Sequence, residues 1–227
     1  LAVGLFCLSF LFASGTNQPV LGQPDATLRI YLARHGETEW NVERRLQGGT
    51  DTELNTTGRQ QAVKLGDRLK GIRLDAVYSS TLKRSRDTAE IVRGQLPLKS
   101  LANLGERKLG KFEGQRVEAM DPMTATEYKK RVRNPDDALD GGESLNQFFE
   151  RVRAVIGSIR EQHASGAILI VGHQNTNRMI LRALLGLTPE QALSINQAND
   201  ELYLIELDSG KPPRLWKSIS ETNLGDL

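Results

Sequence analysis

Two of the chain's three histidines stand directly after short apolar runs. His35, in Arg34-His35-Gly36, follows residues 28–33, and His173, in Val171-Gly172-His173, follows residues 167–171. Arg84 opens a helix-like segment after a further apolar run at 75–79, and Glu106 lies just past residues 98–104, which read as another strand. In open α/β sheets, ligands gather where loops leave the carboxyl ends of strands. A phosphate monoester carries two negative charges, and its transferring group spreads charge over three equatorial oxygens. The permanently charged, planar forks of Arg34 and Arg84 match that geometry without a metal. His35 is the expected nucleophile: nearby cations disfavour its protonated form, and an adjacent backbone carbonyl can fix its tautomer. The N–P bond so formed divides one hard hydrolysis into two easier steps.

His173 begins a helix, where free N–H groups also favour an anion, and is expected to hold the phosphoryl oxygens during transfer. Glu106 is expected to give a proton to the departing alcohol and later to take one from water. This set calls for no cofactor and no metal. A rival arrangement makes His35, His173 and Glu106 a two-histidine, one-carboxylate metal site, which the flanking arginines would oppose. The remaining histidine, in Glu161-Gln162-His163-Ala164, ends a helix, suits the helix dipole and is expected to face solvent outside the site.

The elements that must position these groups are legible as alternating strands and helices. Runs at 28–33, 75–79 and 167–171 alternate with helical sequence, which predicts an α/β domain with a largely parallel sheet. Thr57 and Gln60 have capping-box spacing ahead of Ala62, Leu65 and Leu69, and Ser144 and Gln147 repeat it. After Ser144, a 3.6 period places Leu145, Phe148, Phe149, Val152, Val155, Ile156 and Ile159 on one face, as core. Segments 201–207 and 214–219 read as two terminal strands separated by Asp208-Ser209-Gly210 and Pro212-Pro213.

With 227 residues and 38% hydrophobic content, the chain can bury one sizeable core. Lys and Arg total 30 against 28 Asp and Glu, so a net charge of +2 gives no broad polyanion-binding surface of the nucleic-acid kind. Anion recognition must be local. The single cysteine, Cys7, excludes an internal disulfide framework and a thiolate metal site of its own. Residues 1–13 are almost wholly apolar and Ala13-Ser14-Gly15 suits a cleavage site, which predicts export to a periplasmic or other extracytoplasmic space, or an uncleaved anchor. Otherwise the protein is cytoplasmic. Membrane contact is expected only through residues 1–14. The domain division is therefore a leader plus linker over 1–27 and one folded domain over 28–227, of unassigned oligomeric state.

The stretch Arg34-His35-Gly36-Glu37-Thr38-Glu39-Trp40-Asn41 resembles the histidine phosphatase superfamily, which includes cofactor-dependent phosphoglycerate mutases. The likeness continues through Gln47-Gly48, Asp51, Leu54 and Gly58 to Ser79-Ser80-Thr81-Leu82-Lys83-Arg84 with Thr88-Ala89. It then takes in Glu106, Gly110-Lys111-Phe112-Glu113-Gly114, Gly141-Gly142-Glu143-Ser144 and Val171-Gly172-His173, covering about residues 28 to 207. The resemblance implies a three-layer α/β sandwich with a mostly parallel central sheet. It also implies His35 as the phosphorylated residue, Arg34 and Arg84 as clamps, Glu106 as acid-base and His173 as the second pocket histidine. Asn41, Gln47 and Gly48 join them as substrate contacts.

Two departures stand out. Ser85 replaces a common alanine, and Gln174-Asn175-Thr176-Asn177 occupies the place of a common glycine after the second histidine. The latter is expected to form a polar loop that narrows the site or touches substrate. The compact stretch 104–114 resembles the phosphatase-type branch. The expected function is an acid-type phosphomonoesterase acting on small phosphorylated metabolites, with mutase-type transfer and a non-catalytic phospholigand-binding domain as alternatives. Residues 115–142, with Tyr128 and the run Lys129-Lys130-Arg131, are expected to form a helical cap that selects the leaving group.

Overall fold

The computed structural model describes residues 27–219 and 225–226. The expected leader lies outside the described residues, and among those described no helix is long and apolar enough to cross a membrane. Among the described residues, seven strands form one sheet: β1 (Leu28–Arg34), β2 (Ala76–Ser79), β3 (Leu98–Ser100), β4 (Gly166–Gly172), β5 (Glu201–Leu207), β6 (Arg214–Ile219) and β7 (Gly225–Asp226). Their order is β3-β2-β4-β1-β5-β6-β7. The strands from β3 to β1 are parallel, and β5 to β7 add antiparallel pairs. The two central strands, β1 and β4, are buried on both faces, hence their continuous apolar runs.

Side-chain alternation divides the core in two. Leu28, Ile30 and Leu32 face α5 (Leu145–Gln162), α6 (Gln174–Leu185) and α7 (Pro189–Ser194). Tyr31 and Ala33 face α2 (Thr56–Arg68) and α3 (Lys83–Val92). The architecture is thus the three-layer α/β sandwich expected. Two short helices, α1 (Glu39–Val42) and α4 (Pro122–Arg131), belong to the loops above the carboxyl ends of the strands. A third apolar cluster of Leu109, Phe112 and Leu139, with Tyr128 and Val132 against it, supports α4 there.

Three local expectations change. Helix α2 is capped by Asn55, which accepts from the Gly58 N–H at 2.8 Å, so Thr57 lies within the first turn. The strand expected over 98–104 ends at Ser100, and a 3-10 turn at Ala102–Leu104 delivers Glu106. His163 does close α5, yet it is half-buried, with its Nε2 2.8 Å from the Tyr78 hydroxyl. The capping box of Ser144 and Gln147 forms as expected. Of the helix's apolar face, Phe149 alone is only partly buried, its ring covered by the Arg182 guanidinium at 3.8 Å.

Candidate active site

The register of the central strands explains why two histidines 138 positions apart meet. Strands β1 and β4 run parallel with Arg34 opposite Gly172, so His35 and His173 are the next residues on neighbouring strands. The ladder extends by one more bond, from the His35 N–H to the Gly172 carbonyl at 3.0 Å. The two imidazole centroids lie 5.1 Å apart, tilted by 57°.

Glycine at position 36 lets the chain leave β1 against α2. A Cβ there would stand 2.3 Å from the Gly58 carbonyl oxygen, and one on Gly58 would stand 2.1 Å from that of Glu37. The exit is secured by the Gly36 N–H donating to Thr88 Oγ1 at 3.0 Å. His35 Nδ1 lies 2.8 Å from the Gly36 carbonyl. A carbonyl only accepts, so the ring proton resides on Nδ1 and the Nε2 lone pair is left for chemistry. Burial pushes the His35 pKa well below its ordinary 6.5, and Arg84 and then Arg34 push it in the same direction. The ring is therefore neutral.

His173 is fully buried, and Ser80 Oγ lies 2.7 Å from its Nε2. That hydroxyl also accepts from the Leu82 N–H at 3.2 Å, and its own proton is free to turn to Nε2. The His173 proton then sits on Nδ1, a buried donor with no protein partner. Burial, with Arg84, His35 and Arg34, holds this imidazole neutral as well.

Arg84 is wholly buried. Its Nη1 donates to the Thr50 carbonyl at 2.7 Å and its Nη2 to the Gly48 carbonyl at 2.9 Å. The loop that cages it is held by Glu113, whose carboxylate accepts from the Gly49 N–H at 2.8 Å and the Thr50 hydroxyl at 2.6 Å. Gly48 turns with φ of 52°, and a Cβ there would lie 2.2 Å from Glu113 Oε1. Burial draws the Arg84 pKa down to about 10, which leaves it charged at neutral pH. Arg34 donates from Nη1 to the Gln197 carbonyl at 2.9 Å. In both arginines Nε is buried and unpartnered. Two desolvated cations and a buried imidazole N–H, all with donors to spare, form a pocket whose missing partner is an anion rich in acceptors.

Glu106 stands half-buried on the same cleft, oriented by two backbone donors. Oε1 accepts from the Arg107 N–H at 2.8 Å and Oε2 from the Asn175 N–H at 3.0 Å. Thus one N–H of the first turn of α6, expected to face substrate, is taken by the protein's own carboxylate. The Gly105 carbonyl is gripped by the Thr176 hydroxyl at 2.9 Å and by Arg151 Nη1 at 3.2 Å, which fixes the approach of Glu106. Asn41 uses Oδ1 to accept from the Thr38 N–H and hydroxyl at 3.1 and 3.0 Å, so its amide nitrogen is the end left to donate.

A cleft of about 750 Å³ is lined by Arg34, His35, Asn41, Gln47, Gly48, Arg84 and Glu106. The expected site residues thus share one cleft except His173, which does not line it and is brought to the site by its ring contact with His35 at 5.1 Å. Gln174-Asn175-Thr176-Asn177 is the first turn of α6 and not a loop: Gln174 and Asn175 line the cleft, whereas Thr176 and Asn177 are buried. The basic run Lys129-Lys130-Arg131 is not part of the cleft lining. Lys129 and Lys130 are exposed, and Arg131 pairs with Glu127, Asp137 and Asp140. Arg45, Arg107, Arg133 and Arg178 are further cations in the cleft lining. Ser80 and Glu113 stood in the sequence only as motif residues with no role assigned, and Arg178 was not singled out; for Ser80, proximity to the second strand exit was the available signal.

The model of the histidine phosphatase superfamily (branch 1) matches residues 30–218. Phosphoglycerate mutase-like protein 4 of Arabidopsis thaliana is 37% identical over 157 residues, 66% of this chain and 68% of that protein. Among solved structures, Bacillus stearothermophilus YhfR is 34% identical, with a TM-score of 0.73 over 81% of this chain and 93% of its own. The α-ribazole phosphatase of Shigella flexneri is 27% identical, with a TM-score of 0.75 over 86% and 96%. With the match running from β1 into β6 and through every strand exit described above, the chain belongs to the histidine phosphatase superfamily.

Proposed function

We propose that the protein hydrolyses small phosphate monoesters through a phosphohistidine on His35. The observation that carries this reading is the neutral, buried His35, with Nε2 unoccupied, between two guanidiniums whose Nε donors lack partners. The dianionic phosphoryl group seats on Arg34, Arg84, His173 Nδ1 and the Asn41 amide, with Gln47 and Gly48 beside it. His35 Nε2 attacks phosphorus, the ester P–O bond breaks, and the leaving oxygen takes a proton from Glu106. Water then attacks the phosphoryl group and yields its proton to Glu106, the N–P bond breaks, and orthophosphate departs.

The two arginines supply the positive charge of the transfer, so no metal ion takes part. The kinship to an α-ribazole phosphatase supports hydrolysis over return of the phosphoryl group to a second hydroxyl. Arg133 and Arg178, which line the cleft, favour leaving groups that carry negative charge.

The test is phosphate release from p-nitrophenyl phosphate and a panel of metabolite esters, with and without a chelator. Release unchanged by the chelator is expected. Because kcat/KM reports the free protein's ionisations and His35 protonates only well below 6.5, the acid limb of that profile is expected below 6.5, leaving activity at mildly acidic pH. Transfer between hydroxyls without release, or loss of activity in chelator, would defeat the reading.

A further inference from the structure

Behind the site lies a pair of buried amides that the chemistry above does not use. Asn177, on α6, and Gln197, in the segment between α7 and β5, are each 1% exposed. Asn177 Nδ2 donates to Gln197 Oε1 at 2.7 Å and to the Ala33 carbonyl at 3.0 Å. Gln197 Nε2 donates to the Leu32 carbonyl at 3.0 Å and the Glu201 carbonyl at 3.1 Å. The pair thus joins three pieces: the end of β1, the helix that follows His173, and the approach to β5. It sits where the β1–β5 ladder has ended at Ala33 opposite Leu202, so Arg34 has no strand partner on that side. In its place the Gln197 carbonyl receives Arg34 Nη1 at 2.9 Å.

We propose that the Asn177–Gln197 amide pair is a positioning device for Arg34, locking the Gln197 carbonyl so that the guanidinium presents Nε and Nη2 as an open fork to the phosphoryl group. Three features agree. A guanidinium held at Nη1 alone keeps its Nε edge free, and Arg34 Nε is indeed buried and unpartnered. The pair's four bonds are all directed, which a merely space-filling core would not need. Gly172, next to His173, makes room for it, since a Cβ there would lie 2.1 Å from Asn177 Oδ1. The polar residue four places after His173 therefore serves the first arginine and does not touch the leaving group.

The inference rests on Arg34 being a phosphate ligand, and its test is a double-mutant cycle read by calorimetric titration with inorganic phosphate on the whole chain. Gln197→Met removes the amide at similar volume. It is expected to weaken phosphate binding by about tenfold when Arg34 is present and by less than about twofold in an Arg34→Ala background. Equal weakening in both backgrounds would show a general structural role and overturn the proposal. If Gln197→Met does not fold, Asn177→Ser carries the same cycle with the same two outcomes. Phosphate binding needs no turnover, so a protein that binds phosphate but releases none from esters sinks the phosphatase reading and leaves this result interpretable.

Discussion

His35→Ala is expected to lose turnover by on the order of 10⁴-fold or more while keeping its fold and its affinity for phosphate. The size follows from the role: with no nucleophile, water must attack the ester directly, and the second step has no intermediate to act on. The retained affinity follows from the layout. Arg34, Arg84 and the His173 ring are held by the Gln197, Thr50 and Gly48 carbonyls and, at His173 Nε2, by the Ser80 hydroxyl, none of which depends on the His35 ring. Steady-state rates together with phosphate titration check both halves. A variant with near-normal turnover would remove His35 from the chemistry.

Arg84→Met is expected to lower kcat/KM by about 10²- to 10³-fold, the range for removing one preorganised charge-stabilising donor. Its effect should exceed that of removing an exposed cation such as Arg133, because Arg84 acts from a fully buried position where its charge is little screened. The Gly48 and Thr50 carbonyls would lose their donor at the same time. The folded protein should survive this, since the Glu113 carboxylate still holds Gly49 and Thr50. Kinetics with p-nitrophenyl phosphate, beside a thermal melt, separate the two contributions. A loss confined to the melt would make Arg84 a structural cation only.

The strand exits were legible because buried parallel strands are continuous apolar runs, and their ends can be read directly. Register was not, yet it is register, Arg34 opposite Gly172, that turns two distant histidines into neighbours. The start of α2 differs because Asn55 and Thr57 both have capping side chains, and Asn55 is the one fixed from outside the helix, its N–H and Nδ2 bonded to the Glu37 carbonyl and carboxylate. Gln174 to Asn177 read as a loop because polar residues follow a strand; the helix forms because Thr176 and Asn177 find buried partners in Gly105, Ala33 and Gln197. Gln197 itself had no local signal. Its bond to the Leu32 carbonyl spans 165 positions, and such pairings are invisible to periodicity or motif spacing.

The most direct test of a covalent site at His35 is to quench the protein during turnover and locate the phosphoryl group by mass spectrometry and phosphorus NMR. An acid-labile, alkali-stable phosphoramidate on His35 is expected, attached at Nε2 because Nδ1 is engaged by the Gly36 carbonyl. Phosphate on another residue, attachment through Nδ1, or turnover with no covalent species when hydrolysis is slowed would contradict it.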